Sequence, residues 1–245
     1  MTRPVLGDSR SRVDLLRALL YGLSAQRPSH SVFIGGEQLP LEARMGGIFL
    51  GFLCGVLSLA LFGRLQAARP PEGALTVVCG GLVVLTFLDG LNATLADRSL
   101  PHLYAPNTGL RLITGLGAGY GLAVLALPVV AETVWKDPAD EAALLDLVEL
   151  GSGLAGTGLL GALILLDVPP LLWPVSLGML LSVLVAFSVA NVQVLALATG
   201  RARQSITVRD LTGSCAAAVG LALVEVALLA AVRGWLASLG VSWGV

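Results

Sequence analysis

Residues 26–55 read QRPSHSVFIGGEQLPLEARMGGIFLGFLCG, and the join inside this stretch decides the fold. Up to Arg44 it is a polar loop punctuated by Pro28, Gly35, Gly36 and Pro40; from Met45 it turns apolar and stays so to Gly63. No linker separates the two. A loop that runs straight into a membrane span holds its polar side chains at one membrane face.

Working outward, the composition agrees with that reading. With 56% hydrophobic residues, 13% charged residues and 30 glycines in 245 positions, the chain lacks the charge to cover a soluble surface of its size. Apolar segments at 45–63, 73–95, 108–134, 148–166, 171–199 and 212–236 each come near the ~20 residues that a helix needs to cross ~30 Å of hydrocarbon. Pro70, Pro71, Pro101, Pro106, Pro169 and Pro170 mark the connections, because proline lacks the amide donor that would continue a helix. The expected fold is all-α, a polytopic transmembrane helix bundle of about six spans with an N-terminal interfacial amphipathic helix.

That first helix is expected over 10–23, after a disordered tail at 1–9. Val13, Leu16, Leu20 and Leu23 share one face, which fits a helix lying in the headgroup region or one packed on the bundle. Asp14 and Arg17 interrupt its apolar run, so it does not read as a signal peptide. The chain divides into 1–44 (tail, helix and loop), a three-span half at 45–134 and a second at 135–245. An even number of spans puts both termini on one side, here side A. Most of the 15 basic residues fall there, Arg3, Arg10, Arg12, Arg17, Arg27 and Arg44 among them, which makes side A the expected cytoplasmic side. The loop holding Arg201, Arg203 and Arg209 pulls the other way.

Polar residues inside the spans are the costly ones. An isolated Asp in hydrocarbon costs ~2.5–3.5 kcal/mol, so Asp89 should face inward and find a cation. Topology puts Arg44, Asp89, Asn92, Asn107 and Arg111 at similar depth near side A, with Arg111 or Arg44 as the partner of Asp89. His102 lies in the adjoining loop, either solvated or sharing that cluster. Glu225, in LALVEVALL, sits near the middle of the last span, either as a neutral acid bonded to a carbonyl, Asn191 or Ser188, or as a proton- or cation-responsive group. Gly47, Gly51 and Gly55, then Gly115 and Gly119 or Gly117 and Gly121, then Gly153, Thr157 and Gly161, recur at the spacing that lets helix backbones approach closely. Cys54, Cys79 and Cys215 lie in apolar runs and read as small buried hydrophobes. Glu132, Asp137, Asp140, Glu141, Asp146 and Glu149 form an acidic rim on side B that reads as solvated.

Two blocks resemble a family of uncharacterised prokaryotic integral membrane proteins, domain-of-unknown-function family 2085. In the first, Gln26, Pro28, Ser31, Gly36, Gln38, Pro40, Arg44, Gly47, Ile48 and Gly51 fit the family pattern; in the second, Asp89, Gly90, Asn107, Leu110, Arg111, Thr114 and Gly115 do. Together they cover roughly residues 20–120 and imply a prokaryotic plasma (inner) membrane protein. Ser24, Ala25, Glu42 and Met45 stand where the family has Cys, His, Cys and Cys, so the chain resembles a degenerate member whose soft-ligand set is gone. Glu42 and His30 alone are a weak metal signal, and interfacial pairing of Glu42 with Arg44 or Arg27 is the expected arrangement. No metal or cofactor is expected.

Function is bounded mainly by exclusion. A net charge of −1 gives no basic face for nucleic acid. The chain has no Gly-x-Ser-x-Gly, His-Glu-x-x-His or phosphate-loop motif, and only two histidines, His30 and His102. The leading expectation is a non-enzymatic accessory or scaffold subunit in contact with the lipid bilayer and with other membrane subunits, its motif loop (Gln26, Pro28, Gln38, Pro40, Glu42) offering the partner surface. The alternative is a small permease or ion-responsive protein using Glu225 and the Arg44, Asp89 and Arg111 cluster. A metal-dependent membrane enzyme built on Glu42 and His30 comes last.

Overall fold

The computed structural model describes residues 5–206 and 208–241, without the side chains of residues 5–11 and 208. Residues 1–4, Arg3 among them, lie outside the described residues. The disordered tail expected over 1–9 is corrected from Val5 onward, because helix α1 spans Val5–Leu19 and tightens into a 3-10 turn over Leu20–Gly22. The helix starts and stops earlier than the expected 10–23. Val13, Leu16 and Leu20 are buried against the bundle, and once such a face is anchored, adding a turn upstream costs little because helix propagation is cooperative. Arg12 lies over the Trp173 ring, 5.7 Å from its centroid, which ties the helix to the bundle at side A.

The motif loop is folded. Strands β1 (Phe33–Ile34) and β2 (Glu37–Gln38) pair antiparallel through a two-residue turn at Gly35 and Gly36, with φ of 60° and 78°. Both turn positions need the left-handed region, which glycine adopts without steric cost. Val32, Ile34, Leu39 and Leu41 from this loop are buried in the same core as Leu50, Leu112 and Met179. The Gly35 amide donates to Asp167 Oδ1 at 2.6 Å, seating the hairpin on a connection between spans.

Among the described residues six helices are long and apolar enough to cross a membrane. They are α2 (Ala43–Leu61), α3 (Ala74–Asp97), α4 (Thr108–Val134), α5 (Leu147–Leu165), α6 (Leu172–Ala198) and α7 (Val208–Ser238), and they agree with the expected spans to within a few residues at each end. The protein is a multi-pass helical bundle. Helix α4 is its axis, with α2, α3 and α5 packed on it, while α7 rests on α6 and on the N-terminal turn.

Small residues explain how the axis closes. A Cβ on Gly47 would stand 2.6 Å from Leu112 O and one on Gly115 2.5 Å from Arg44 O; on Gly51 and Gly119 it would overlap Leu116 O and Ile48 O more closely still. Both alternatives for the third span are used: Gly115 and Gly119 face α2, whereas Gly117 and Gly121 face Leu82 and Cys79 of α3. Between helices in lipid there is no hydrophobic drive, so such backbone contact supplies the packing.

On side B, strand β3 (Ala67–Arg69) pairs parallel with β4 (Ala139–Ala142) and brings the loop after α2 beside the loop after α4. The acidic rim is therefore corrected in part: Asp140 and Asp146 are exposed as expected, but they and the half-buried Glu141 and Glu149 have partners. Arg64 pairs with Glu141 and with Glu149 (3.5 Å), Arg69 with Asp140 (3.1 Å), and Asp146 caps α5 by accepting from the amides of Val148 and Glu149. Glu132 and Asp137 remain exposed. The cysteines are free, and Cys215 lies on an exposed face of α7 instead of being buried.

Candidate functional site

Side A gathers the polar residues that the spans could not hide alone. Asp89, 3% exposed, accepts a 2.5 Å hydrogen bond from Arg44 Nη2 and a 2.7 Å bond from the Tyr104 hydroxyl. Burial, then the bond to Asp89, pushes the Tyr104 phenol up from its ordinary value. Asn92, one turn along α3, holds the same loop by its backbone: its Nδ2 donates to Tyr104 O at 2.9 Å and its Oδ1 accepts from the amides of Leu103 (2.8 Å) and Tyr104 (3.4 Å). The proline-marked loop after α3 is thus pinned to the helix it follows.

Two residues placed in this cluster by sequence lie apart from Asp89. Asn107 is exposed and caps α4, its Oδ1 accepting from the Leu110 amide at 3.2 Å. Arg111 is buried in the first turn of α4 but reaches Asp97, at 3.9 Å. Asp97 also stands 3.5 Å from His30 Nε2 and 3.9 Å from Arg27. Its membership had a sequence signal that went unused: Asp89, Ala93 and Asp97 are spaced by four, so one face of α3 carries both acids to side A. His102 points away, its Nδ1 within 3.0 Å of Leu100 O.

The motif loop spends its polar groups on its own shape. Gln26, held at a φ of 54°, donates through Nε2 to Arg17 O (2.8 Å) and Pro40 O (2.9 Å), and Gln38 Nε2 donates to Gln26 O (2.7 Å) and Ser31 Oγ (2.8 Å). Pro28 opens a 3-10 turn that ends at His30. Glu42 Oε1 accepts from the Arg27 amide (2.9 Å) and Nε (3.1 Å), which makes Arg27 its partner and leaves Arg44 to Asp89. Ser24 and Glu42 adjoin: the Glu42 amide donates to Ser24 Oγ at 3.1 Å. Among the described residues no three His, Cys, Asp or Glu side chains converge as a metal cage.

Sequence reasoning passed over Arg233. Its guanidinium donates to Tyr21 O (2.7 Å) and Ser24 O and lies 4.4 Å from the centroid of the Tyr21 ring, clamping α7 to the start of the motif loop. In LAAVRGWLASL it looks like an ordinary snorkelling residue near a span end. Deeper in the bundle, Asn191 Nδ2 donates to Glu225 Oε2 at 2.8 Å between α6 and α7, and Gln193 Nε2 donates to Thr133 Oγ1 at 3.2 Å between α6 and α4.

His30 gives the site a pH dependence. Burial, then the nearby Arg111 and Arg27, lower its pKa from the ordinary 6.5. Its folded pKa lies below its unfolded one, so the contribution is fully present above pH 6.5 and is lost as pH falls through the lower, folded value. His30→Gln is expected to flatten the acid limb of a plot of Tm against pH. A variant limb parallel to that of the native chain would assign the acid sensitivity to other groups.

No curated protein and no solved structure matches the chain. Residues 24–125 match the family model described as "Predicted membrane protein (DUF2085)". That match takes in the motif loop, α2, α3 and α4 up to Leu125, within a multi-pass membrane protein.

Proposed function

We propose that this protein is a non-enzymatic accessory or scaffold subunit of a prokaryotic inner-membrane assembly, with both termini cytoplasmic and the motif loop as the surface that receives its partner. One observation carries the reading. The polar side chains of the loop, Ser24, Gln26, Gln38 and Glu42, are committed to holding the loop's own backbone and ion pairs, as a platform requires. Arg233 from α7 and Asp167 from the α5–α6 connection fasten the same loop at two further points, so its outline is set by three parts of the chain. The Asn191 to Glu225 hydrogen bond favours a packing role for the intramembrane acid over a conducting one.

The test is mild extraction from the native membrane followed by mass spectrometry of the intact assembly, with metal analysis of the same sample. Other membrane subunits in fixed stoichiometry are the expected result, and substitution of exposed Phe33 on the hairpin by Glu is expected to release them. A protein that runs alone after both mild extraction and prior in-membrane cross-linking overturns the reading.

A further inference from the structure

A small cavity of about 60 Å³ lies between the first turns of α2 and α4 and the end of α3, bordered by Arg27, His30, Glu42, Arg44, Asp97 and Arg111. Two of its three arginines are spoken for. Glu42 accepts from the Arg27 backbone amide and Nε, and Asp89 accepts from Arg44. Arg111 differs. It is 5% exposed and makes no side-chain hydrogen bond among the described residues; its buried Nε, like that of Arg44, has no acceptor. A guanidinium sheltered from water and offering unfilled donors is costly unless something accepts from it.

Asp97 is the nearest candidate within the chain, and its geometry is that of a substitute. One carboxylate stands 3.9 Å from Arg111, 3.9 Å from Arg27 and 3.5 Å from His30, in the middle of three donors and beyond good hydrogen-bond distance of each. Asp97 is also the last residue of α3, where the negative end of the helix dipole disfavours an acid, and its side chain is 39% exposed, so it can swing to water. From that position the carboxylate leaves all three donors short of a close acceptor. The volume is several times the ~10–15 Å³ that one water requires.

We propose that this cavity is a binding site for a phosphate-class oxyanion, with Arg111 as the principal fork, Arg27 and His30 as the flanking donors, and Asp97 as the carboxylate that the anion displaces. Arginine matches tetrahedral oxyanions through two parallel N–H bonds, and burial strengthens each of them. The site opens at the membrane face, so the phosphate can belong to a soluble ion or to a lipid headgroup. The proposal is independent of the subunit reading, because it concerns the cavity and not the exposed face of the loop.

The test uses the full chain purified in an uncharged detergent and stripped of lipid. Melting is followed while inorganic phosphate is titrated against sodium chloride at matched ionic strength, and in a second arm while short-chain phosphatidic acid is titrated against the matching phosphatidylcholine. Phosphate should stabilise the native chain above the chloride control. Asp97→Asn should bind it about tenfold tighter, since the competing charge is gone, and Arg111→Gln should lose the response whatever its own Tm. Saturation by phosphatidic acid at far lower concentration than inorganic phosphate assigns the site to a headgroup, and the reverse order assigns it to a soluble ion. Equal responses to phosphate and chloride in both the native chain and Asp97→Asn, with no response to phosphatidic acid, overturn the proposal. So does a phosphate response that survives in folded Arg111→Gln.

Discussion

Gly119→Val is expected to remove the folded protein from the membrane almost completely. The new Cβ falls on Ile48 O and beside Phe52 N, which are backbone atoms of α2, so no side-chain rotation can make room and the two helices must separate. Overpacking that a side chain can absorb costs ~1–3 kcal/mol, and this substitution should exceed that range because it breaks the contact along which α2 lies on the axial helix. Gly51→Val meets Leu116 O from the opposite side and should fail in the same way. Gly158→Val is the control, since a Cβ there meets nothing within 4 Å. The measurement is the yield of monodisperse protein after detergent extraction. Gly119→Val at the level of Gly158→Val would show that α2 and α4 do not meet through these glycines.

How far the sequence reaches can be judged from these same elements. The spans were legible because hydrocarbon imposes a length and a hydropathy that water-soluble folding does not, and the range expected for the third span, 108–134, is that of α4. The glycine rows were legible as close contacts; which row meets which helix was not, because spacing fixes a face and leaves the neighbour open. In the loops the limits were those of chain geometry. FIGGEQ carries a Gly-Gly hairpin signal that the reading as a plain polar loop passed over, and nothing in it announces that Gly35 will donate to Asp167, far along the chain. The parallel pairing of β3 with β4 likewise joins loops that sequence order keeps apart, and it turns a run of acids that looks solvated into partners for Arg64 and Arg69. Asp97 was missed for a different reason: reading it as loop hid the fact that α3 carries its face on to that residue.

Asp89→Ala is the second substitution expected to have a large effect, and its value lies in which cation answers it. Removing one member of a buried ion pair costs ~3–5 kcal/mol, chiefly because the other charge is left behind without a partner. Arg44 keeps a quarter of its side-chain surface exposed and can draw water, so the loss should fall toward the lower end of that range. Depth alone allowed either Arg44 or Arg111 as the partner, and the two make opposite predictions in a double-mutant cycle. With Arg44 at 2.5 Å from Asp89 and Arg111 turned to Asp97, Asp89→Ala combined with Arg44→Ala should cost clearly less than the sum of the single losses. Asp89→Ala combined with Arg111→Ala should be additive to within ~0.5 kcal/mol. Tyr104→Phe separates the remaining contribution, because it deletes the other bond to Asp89 while leaving the ion pair in place, and should cost ~1 kcal/mol. Coupling of Asp89 to Arg111 as strong as its coupling to Arg44 would merge the two ion pairs into one network. Arg111 would then have an acceptor already, and the cavity beside it would lose its claim on an anion.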